Sequence, residues 1–188
     1  PYTKELAPYM LEDSCRLLAH EAALQQKETL YIESDVFKTL ERWQTIPYHE
    51  ARSISDGISV YFKNAGHILG SAIIEVTAEG VTTAFTGDLG NTPTPLLPDT
   101  EYITDADYMV IESVYGDRNH PDVGARRQRL KQALLAGIEK RGTILIPMFS
   151  LEKTQVLLHE LNHFIEHEEI PKVPVFLDSP LAEKVTAV

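Results

Sequence analysis

The sequence predicts an α/β fold on three observations. Leucines near helical spacing across residues 4–26 indicate an amphipathic helix at the start of the chain. Runs rich in β-branched residues, bounded by glycines, indicate strands between residues 58 and 86. After Gly116, apolar strand-like runs alternate with helical patterns, which is typical of a parallel sheet covered by helices. We therefore expect an α/β protein that contains both helices and strands.

Two helices are predicted before the first strand. The first covers residues 4–26, and Pro8 is expected in its first turn or at the end of a short preceding turn. Ser34 and Asp35 are predicted to cap a second helix over residues 36–43, because serine and aspartate side chains accept hydrogen bonds from free N–H groups at helix starts.

The predicted strands carry the polar residues of interest at their ends. Residues 58–62, 71–77 and 81–86 are expected to form strands, and the last two are expected to form a hairpin over Glu79 and Gly80. Prolines exclude residues 92–98 from a central strand. A short, buried type of strand, residues 108–111, is expected to end at Glu112.

The rest of the chain predicts alternating helices and strands, with a boundary between two parts near residues 115–118. The predicted helices cover residues 123–140, residues 151–167 and residues from 181 onward, and the predicted strands cover residues 143–146 and 173–177.

Composition limits the class of protein. The 188 residues are 43% hydrophobic and 24% charged, which is typical of a globular protein with a core. No apolar run is long enough to cross a bilayer, and the single Cys15 excludes an internal disulfide and favours a cytoplasmic setting. The net charge of −11 argues against a broad phosphate-binding face, although bound divalent cations can reverse the local field.

His67 and Asp88 are candidate metal ligands, because each follows a strand-like run and is flanked by glycines that expose a side chain. Either residue could instead be structural, and Glu112 could be a helix cap. His159, His163 and His167 recur every four residues, as ligands on one helix face would. We interpret these three histidines as the solvated edge of an amphipathic helix.

The sequence Asp178-Ser179-Pro180 reads as an N-cap followed by proline at the first helical position. It is also one of five strings that occur in a fixed order. They are AGHILGSA at residues 65–72, TGDLG at 86–90, ESVYGDR at 112–118, IPMFS with a later TQ at 146–155, and DSPLA at 178–182. This series closely resembles the beta-CASP branch of the metallo-beta-lactamase fold, which contains RNA-processing nucleases.

The resemblance implies an αββα metallo-beta-lactamase domain over residues 1–115 and the first part of a parallel-sheet beta-CASP domain over residues 116–188. His67 matches a ligand of one zinc ion, and Asp88 matches the catalytic carboxylate that bridges two. Glu112 matches the catalytic acidic residue that orients a metal-site histidine. Two zinc ions about 3.5–4 Å apart would activate a hydroxide and stabilise the oxygens of a phosphodiester. The resemblance implies that the substrate is single-stranded RNA.

Departures from the family pattern remain. The HxHxDH motif and the closing beta-CASP motifs are absent, Val114 replaces the usual threonine, and Glu152-Lys153 replaces Gly-Arg. We expect the chain to be a fragment that by itself neither holds two metals nor cleaves RNA. The alternatives are an inactive scaffold or binding subunit and a metallo-hydrolase of a small molecule. Endonuclease or exonuclease action, RNA or DNA preference, and homo-oligomer formation stay open.

Overall fold

The computed structural model describes residues 1–119 and 123–188, and it has a mixed α/β fold. Its helices are α1 (Tyr2–Gln25), α2 (Glu33–Glu41), α3 (Val123–Glu139), α4 (Lys153–Glu166) and α5 (Pro180–Thr186). Its strands are β1 (Arg52–Ser55), β2 (Ile58–Asn64), β3 (Ala72–Ala78), β4 (Val81–Phe85) and β5 (Tyr108–Val110). No helix among the described residues has both the length and the apolar composition to cross a membrane.

The chain forms two compact units. The first unit comprises residues 1–112 with residues 183–188, and the second unit comprises residues 113–182. The first contains a five-stranded sheet in the order β1-β2-β3-β4-β5. Neighbouring strands from β1 to β4 are antiparallel, and β5 is parallel to β4. Val60, Ile73 and Ala84 are buried on this sheet, and Ala84 has no exposed surface.

The hairpin between β3 and β4 is confirmed. Ala78 pairs with Val81, so Glu79 and Gly80 form a two-residue turn with φ angles of 52° and 79°. Positive φ at both turn positions matches the twist of the flanking strands. The sequence reading missed β1, which pairs with β2 and exposes all four residues. An edge strand with no buried side gives no apolar alternation to detect.

Both N-terminal helices begin earlier than predicted. Because α1 begins at Tyr2, Pro8 lies beyond its first turn, where it removes one backbone donor. The predicted cap of α2 was wrong, since Ile32 is the N-cap residue and Glu33 begins the helix. The Asp35 carboxylate instead accepts a hydrogen bond from the Ile32 N–H at 3.1 Å. An acidic side chain in the first turn thus accepts the N–H of the N-cap residue.

The structure does not form the strands predicted at residues 143–146 and 173–177, and the parallel sheet expected there stays a prediction. Neither run pairs with another segment in the described part of the chain, and Leu145 and Phe176 are 89% and 87% exposed. An apolar run reveals a tendency to extend, but a parallel strand also needs a neighbour and cover on both faces. The buried strand predicted before Glu112 is β5, an exposed edge strand.

The second unit is built on the two predicted helices, α3 and α4, which are confirmed. Its buried cluster joins Leu134 of α3 to Leu161 and Phe164 of α4 and to Ile170 beyond it. Leu130, Ile138 and Leu157 pack around this cluster. The apolar sides of both helices therefore face each other, as their helical spacing predicts.

Candidate metal site

The structure brings His67 and Asp88 together. His67 lies in the loop after β2, and Asp88 lies in the loop after β4. Because β2 and β4 are each antiparallel to the β3 strand between them, they end at the same edge of the sheet. The Nε2 atom of His67 is 3.8 Å from Oδ2 of Asp88, and their side chains are 39% and 73% exposed. Both side chains are therefore accessible from solvent.

A backbone carbonyl fixes the tautomer of the His67 ring. The Nδ1 atom lies 3.3 Å from the carbonyl oxygen of Leu89. A carbonyl oxygen can only accept a hydrogen bond, so Nδ1 carries the proton. In a neutral ring, Nε2 then keeps its lone pair and faces Asp88. This is the arrangement in which a histidine ligates a metal through one nitrogen while the other nitrogen orients the ring.

Glu112 reaches the same loop from β5. Since β5 is parallel to β4, Glu112 follows its strand at the edge where Asp88 also lies. Its Oε1 atom accepts a hydrogen bond of 2.8 Å from the Leu89 N–H. The Leu89 backbone is thus held by Glu112 at its N–H and contacts His67 through its carbonyl. In this chain Glu112 therefore acts on His67 through a backbone segment.

Thr86 joins the two acidic positions. The residue is only 1% exposed, and its hydroxyl donates to the Gly87 carbonyl at 2.7 Å. The same oxygen accepts from the Glu112 N–H at 3.2 Å, while the Thr86 N–H donates to the Val110 carbonyl at 3.0 Å. Thr86 therefore connects the Gly87 backbone, next to Asp88, with the backbone of Glu112. The sequence reading missed this role, because a threonine at a strand end is common on β propensity alone.

The loops that carry His67 and Asp88 touch through glycine backbones. The Gly90 N–H donates to the Ala65 carbonyl at 2.8 Å. A Cβ added at Gly90 would lie 1.9 Å from the Gly66 oxygen. Gly66 itself has a φ of 65°, and a Cβ there would lie 2.8 Å from Oγ1 of Thr100. Only residues without a side chain allow the two loops this close.

A segment missed by the sequence reading, Thr100-Glu101, supports the His67 loop. The Thr100 hydroxyl donates to the Ala65 carbonyl at 3.0 Å. The Glu101 carboxylate accepts from the Asn64 N–H at 2.7 Å and lies 2.7 Å from Nε2 of His49. No spacing rule could have found these contacts, because they join residues far apart in sequence at the end of an irregular loop.

Two further hydroxyls shape the loop between β2 and β3. The Ser71 hydroxyl oxygen accepts from the N–H groups of His67 and Ile68 at 3.1 and 3.2 Å. The Tyr48 hydroxyl donates to the Ser71 carbonyl at 2.7 Å. Burial, and then the charges of Glu101 and Tyr2, raise the pKa of Tyr48, which keeps the phenol protonated as a donor.

The donor types of His67 and Asp88 fit a zinc ion, because zinc binds imidazole nitrogen and carboxylate oxygen. A catalytic zinc normally takes three protein ligands, and the described residues contain no group of three or more His, Cys, Asp or Glu that could hold a metal. The Glu112 carboxylate is engaged with the Leu89 N–H. His67 and Asp88 thus offer part of a site, and the two-zinc centre stays a prediction.

The remaining predicted positions have structural roles. His159 and His167 are exposed, as expected for the solvated edge of α4, and the His163 and His167 rings stack with centroids 3.9 Å apart. The Nδ1 atom of His167 contacts the His163 carbonyl at 2.9 Å. The predicted cap before Pro180 is confirmed, since the Ser179 hydroxyl accepts from the Ala182 N–H at 3.2 Å.

Comparison with known proteins finds ribonucleases, while no family model matches the chain. Ribonuclease TTHA0252 of Thermus thermophilus is 31% identical over 180 residues, which are 96% of this chain and 39% of that protein. RNase aCSPSF2 of Saccharolobus solfataricus is 40% identical over 129 residues, 68% of this chain and 26% of that protein. Cleavage and polyadenylation specificity factor 73 of Drosophila melanogaster is 29% identical over 188 residues, 99% of this chain and 27% of that protein. The chain therefore spans well under half the length of these relatives.

Proposed function

This chain belongs to the beta-CASP branch of the metallo-beta-lactamase family, and we propose that the protein containing it is a zinc-dependent hydrolase of single-stranded RNA. The observation that carries the proposal is the pair of His67 and Asp88, whose Nε2 and Oδ2 atoms lie 3.8 Å apart at one sheet edge. The relatives named as ribonucleases support the reaction class. We assign residues 1–115 to the metallo-beta-lactamase domain and residues 116–188 to the beta-CASP domain, in the same proposal.

In this proposal, Nε2 of His67 and the Asp88 carboxylate would hold zinc together with ligands from elsewhere in the protein. Bound zinc supplies water with a pKa of about 7 and positive charge to offset the phosphodiester oxygens. The Leu89 carbonyl keeps the proton on Nδ1, so Nε2, which lies 3.8 Å from Oδ2 of Asp88, would have its lone pair available for the metal. Glu112 holds the Leu89 N–H, and it thereby positions the loop that carries Asp88.

The function is tested on the full-length protein with end-labelled single-stranded RNA and zinc. Wild type is compared with Asp88→Ala, with a chelator, and with Asp56→Ala as a matched control, because Asp56 is an exposed aspartate in the turn between β1 and β2. We expect cleavage by wild type and Asp56→Ala only. The lengths of the products separate endonuclease from exonuclease action.

Other results of this experiment would favour the alternative functions. A full-length protein that binds zinc but leaves RNA and DNA intact would contradict the nuclease proposal and favour a small-molecule substrate. A full-length protein that binds no zinc would favour an inactive scaffold subunit. Cleavage that survives in Asp88→Ala would reject the assignment of Asp88 while keeping the reaction.

A further inference from the structure

The charge of this chain is divided unevenly along its length. Residues 1–112 contain 18 acidic and 7 basic residues and account for the whole net charge of −11. Residues 113–188 contain 10 of each. Within them, residues 123–142 carry six of the basic residues and only Glu139 as an acidic one. The helix α3 and its end are therefore a basic segment in an otherwise acidic chain.

Two of the cations on α3 are neutralised inside the second unit. Nε of Arg127 lies 2.9 Å from Oε2 of Glu160, and its guanidinium also lies over the Phe164 ring. Nζ of Lys131 lies 2.8 Å from Oε2 of Glu169, and the other oxygen of this carboxylate, Oε1, lies 3.6 Å from the Arg127 guanidinium. These two side chains join α3 to α4 and to the segment after it, so they are unsuited to hold an outside anion.

Arg126 and Arg129 differ from this pair. Both are exposed, and neither forms an ion pair or hydrogen bond with another residue in the described ranges, 1–119 and 123–188. Their spacing of three residues places them on the same side of the helix, with Cβ atoms about 5–6 Å apart. The charge on this side of α3 is therefore uncompensated within the described structure.

We infer that Arg126 and Arg129 form a contact surface for the phosphates of single-stranded RNA, an inference that rests on the proposed function. Guanidinium groups bind phosphate with two parallel hydrogen bonds, and they are more weakly hydrated than ammonium groups. Two guanidinium groups one helical turn apart can hold neighbouring phosphates of one strand. Because the rest of the chain is acidic and repels a polyanion, this surface offers the strand a local attraction.

The test measures binding of a fluorescently labelled single-stranded RNA to the full-length protein over a series of salt concentrations, with a chelator to prevent cleavage. Each phosphate contact on a single strand contributes about −0.7 to the slope of log affinity against log salt. The double variant Arg126→Gln and Arg129→Gln should make this slope shallower by about 1.4 and weaken binding on the order of tenfold at about 0.1 M salt. Its melting temperature should be unchanged, since both side chains are exposed.

The matched control removes two charges from the first unit instead. Arg42 and Arg52 are exposed arginines, so Arg42→Gln with Arg52→Gln changes the net charge equally. We expect this control to retain the salt slope of wild type. An unchanged slope and affinity in the α3 variant, or an equal loss in the control, would overturn the inference.

An assay of RNA cleavage distinguishes a failure of this inference from a failure of the proposed function. With zinc present, the α3 variant should raise KM and leave kcat near the wild-type value. RNA cleavage with an unchanged KM would reject the contact surface alone, whereas salt-dependent RNA binding without cleavage would reject only the nuclease proposal. Binding of poly-glutamate but not RNA would show a site for an acidic protein and would overturn the inference.

Discussion

Nε2 of His67 faces Oδ2 of Asp88 across 3.8 Å, although the two residues lie in different loops. The β2 and β4 strands bring them together, because both strands end at one edge of the sheet with β3 between them. The Thr86 and Thr100 hydroxyls donate hydrogen bonds, and the Ser71 hydroxyl accepts one from the His67 N–H, which fixes the loops themselves.

Gly90→Ala should destabilise the protein by about 2 kcal/mol or more, because the new Cβ would lie 1.9 Å from the Gly66 oxygen. Gly142→Ala is the control, since a Cβ there meets no atom within 4 Å. Thermal unfolding of both variants measures the difference. Equal melting temperatures would show that the two glycine loops do not approach as closely as described.

Thr86→Val should cost about 1 kcal/mol of unfolding free energy, because it removes the buried hydroxyl that donates to the Gly87 carbonyl and accepts from the Glu112 N–H. Thr86→Ser keeps the hydroxyl and should recover much of this loss. Thr83→Val is a matched control on β4, where no hydrogen bond of the hydroxyl is found among the described residues. Urea unfolding of the three variants gives the comparison, and equal costs for Thr83→Val and Thr86→Val would contradict the assigned role.

Glu112→Ala should lower the zinc affinity of the full-length protein by about 10- to 100-fold, because groups that orient a ligating histidine commonly have effects of this size. Glu112→Gln should lower it less, since the amide oxygen can still accept from the Leu89 N–H. Competition with a chromogenic chelator measures the affinity without relying on activity. Equal losses in the two variants would show that the negative charge of Glu112, rather than its hydrogen bond, matters.

Glu169 should make the folding stability of the second unit decrease at acidic pH. The hydrogen bond from Lys131 is the main cause that lowers the pKa of Glu169; desolvation opposes it, and the charges of Lys131, Arg127 and His163 lower the pKa further. A lowered pKa in the folded state contributes stability above the ordinary glutamate value of about 4.3 and loses it as the pH falls below that value.

The measurement for Glu169 compares wild type with Lys131→Gln between about pH 6 and about pH 3. We expect the stability of wild type to fall more steeply over this range, because only wild type retains the Lys131 hydrogen bond at 2.8 Å. Direct titration of Glu169 by NMR is the second readout. Parallel stability curves for the two proteins would reject the role of Lys131.

The sequence was informative where structure depends on neighbours along the chain. Glycine and β-branched residues located β2, β3, β4 and their hairpin, and the strand ends predicted where His67 and Asp88 would lie. Thr100 and Glu101 escaped notice, because they contact Ala65 and Asn64 across 35 and 37 positions. The apolar runs at residues 143–146 and 173–177 were predicted as strands but do not form them, since a hydrophobic pattern says nothing about the presence of a pairing strand.

The link from Glu112 to His67 passes through the N–H and the carbonyl of Leu89, and not through its side chain. An alanine scan would therefore register position 89 as tolerant even though it lies between two candidate site residues. Proline is the one substitution that removes the N–H outright. Side-chain substitutions in this loop will therefore underestimate the importance of a position wherever its backbone, and not its side chain, makes the contact.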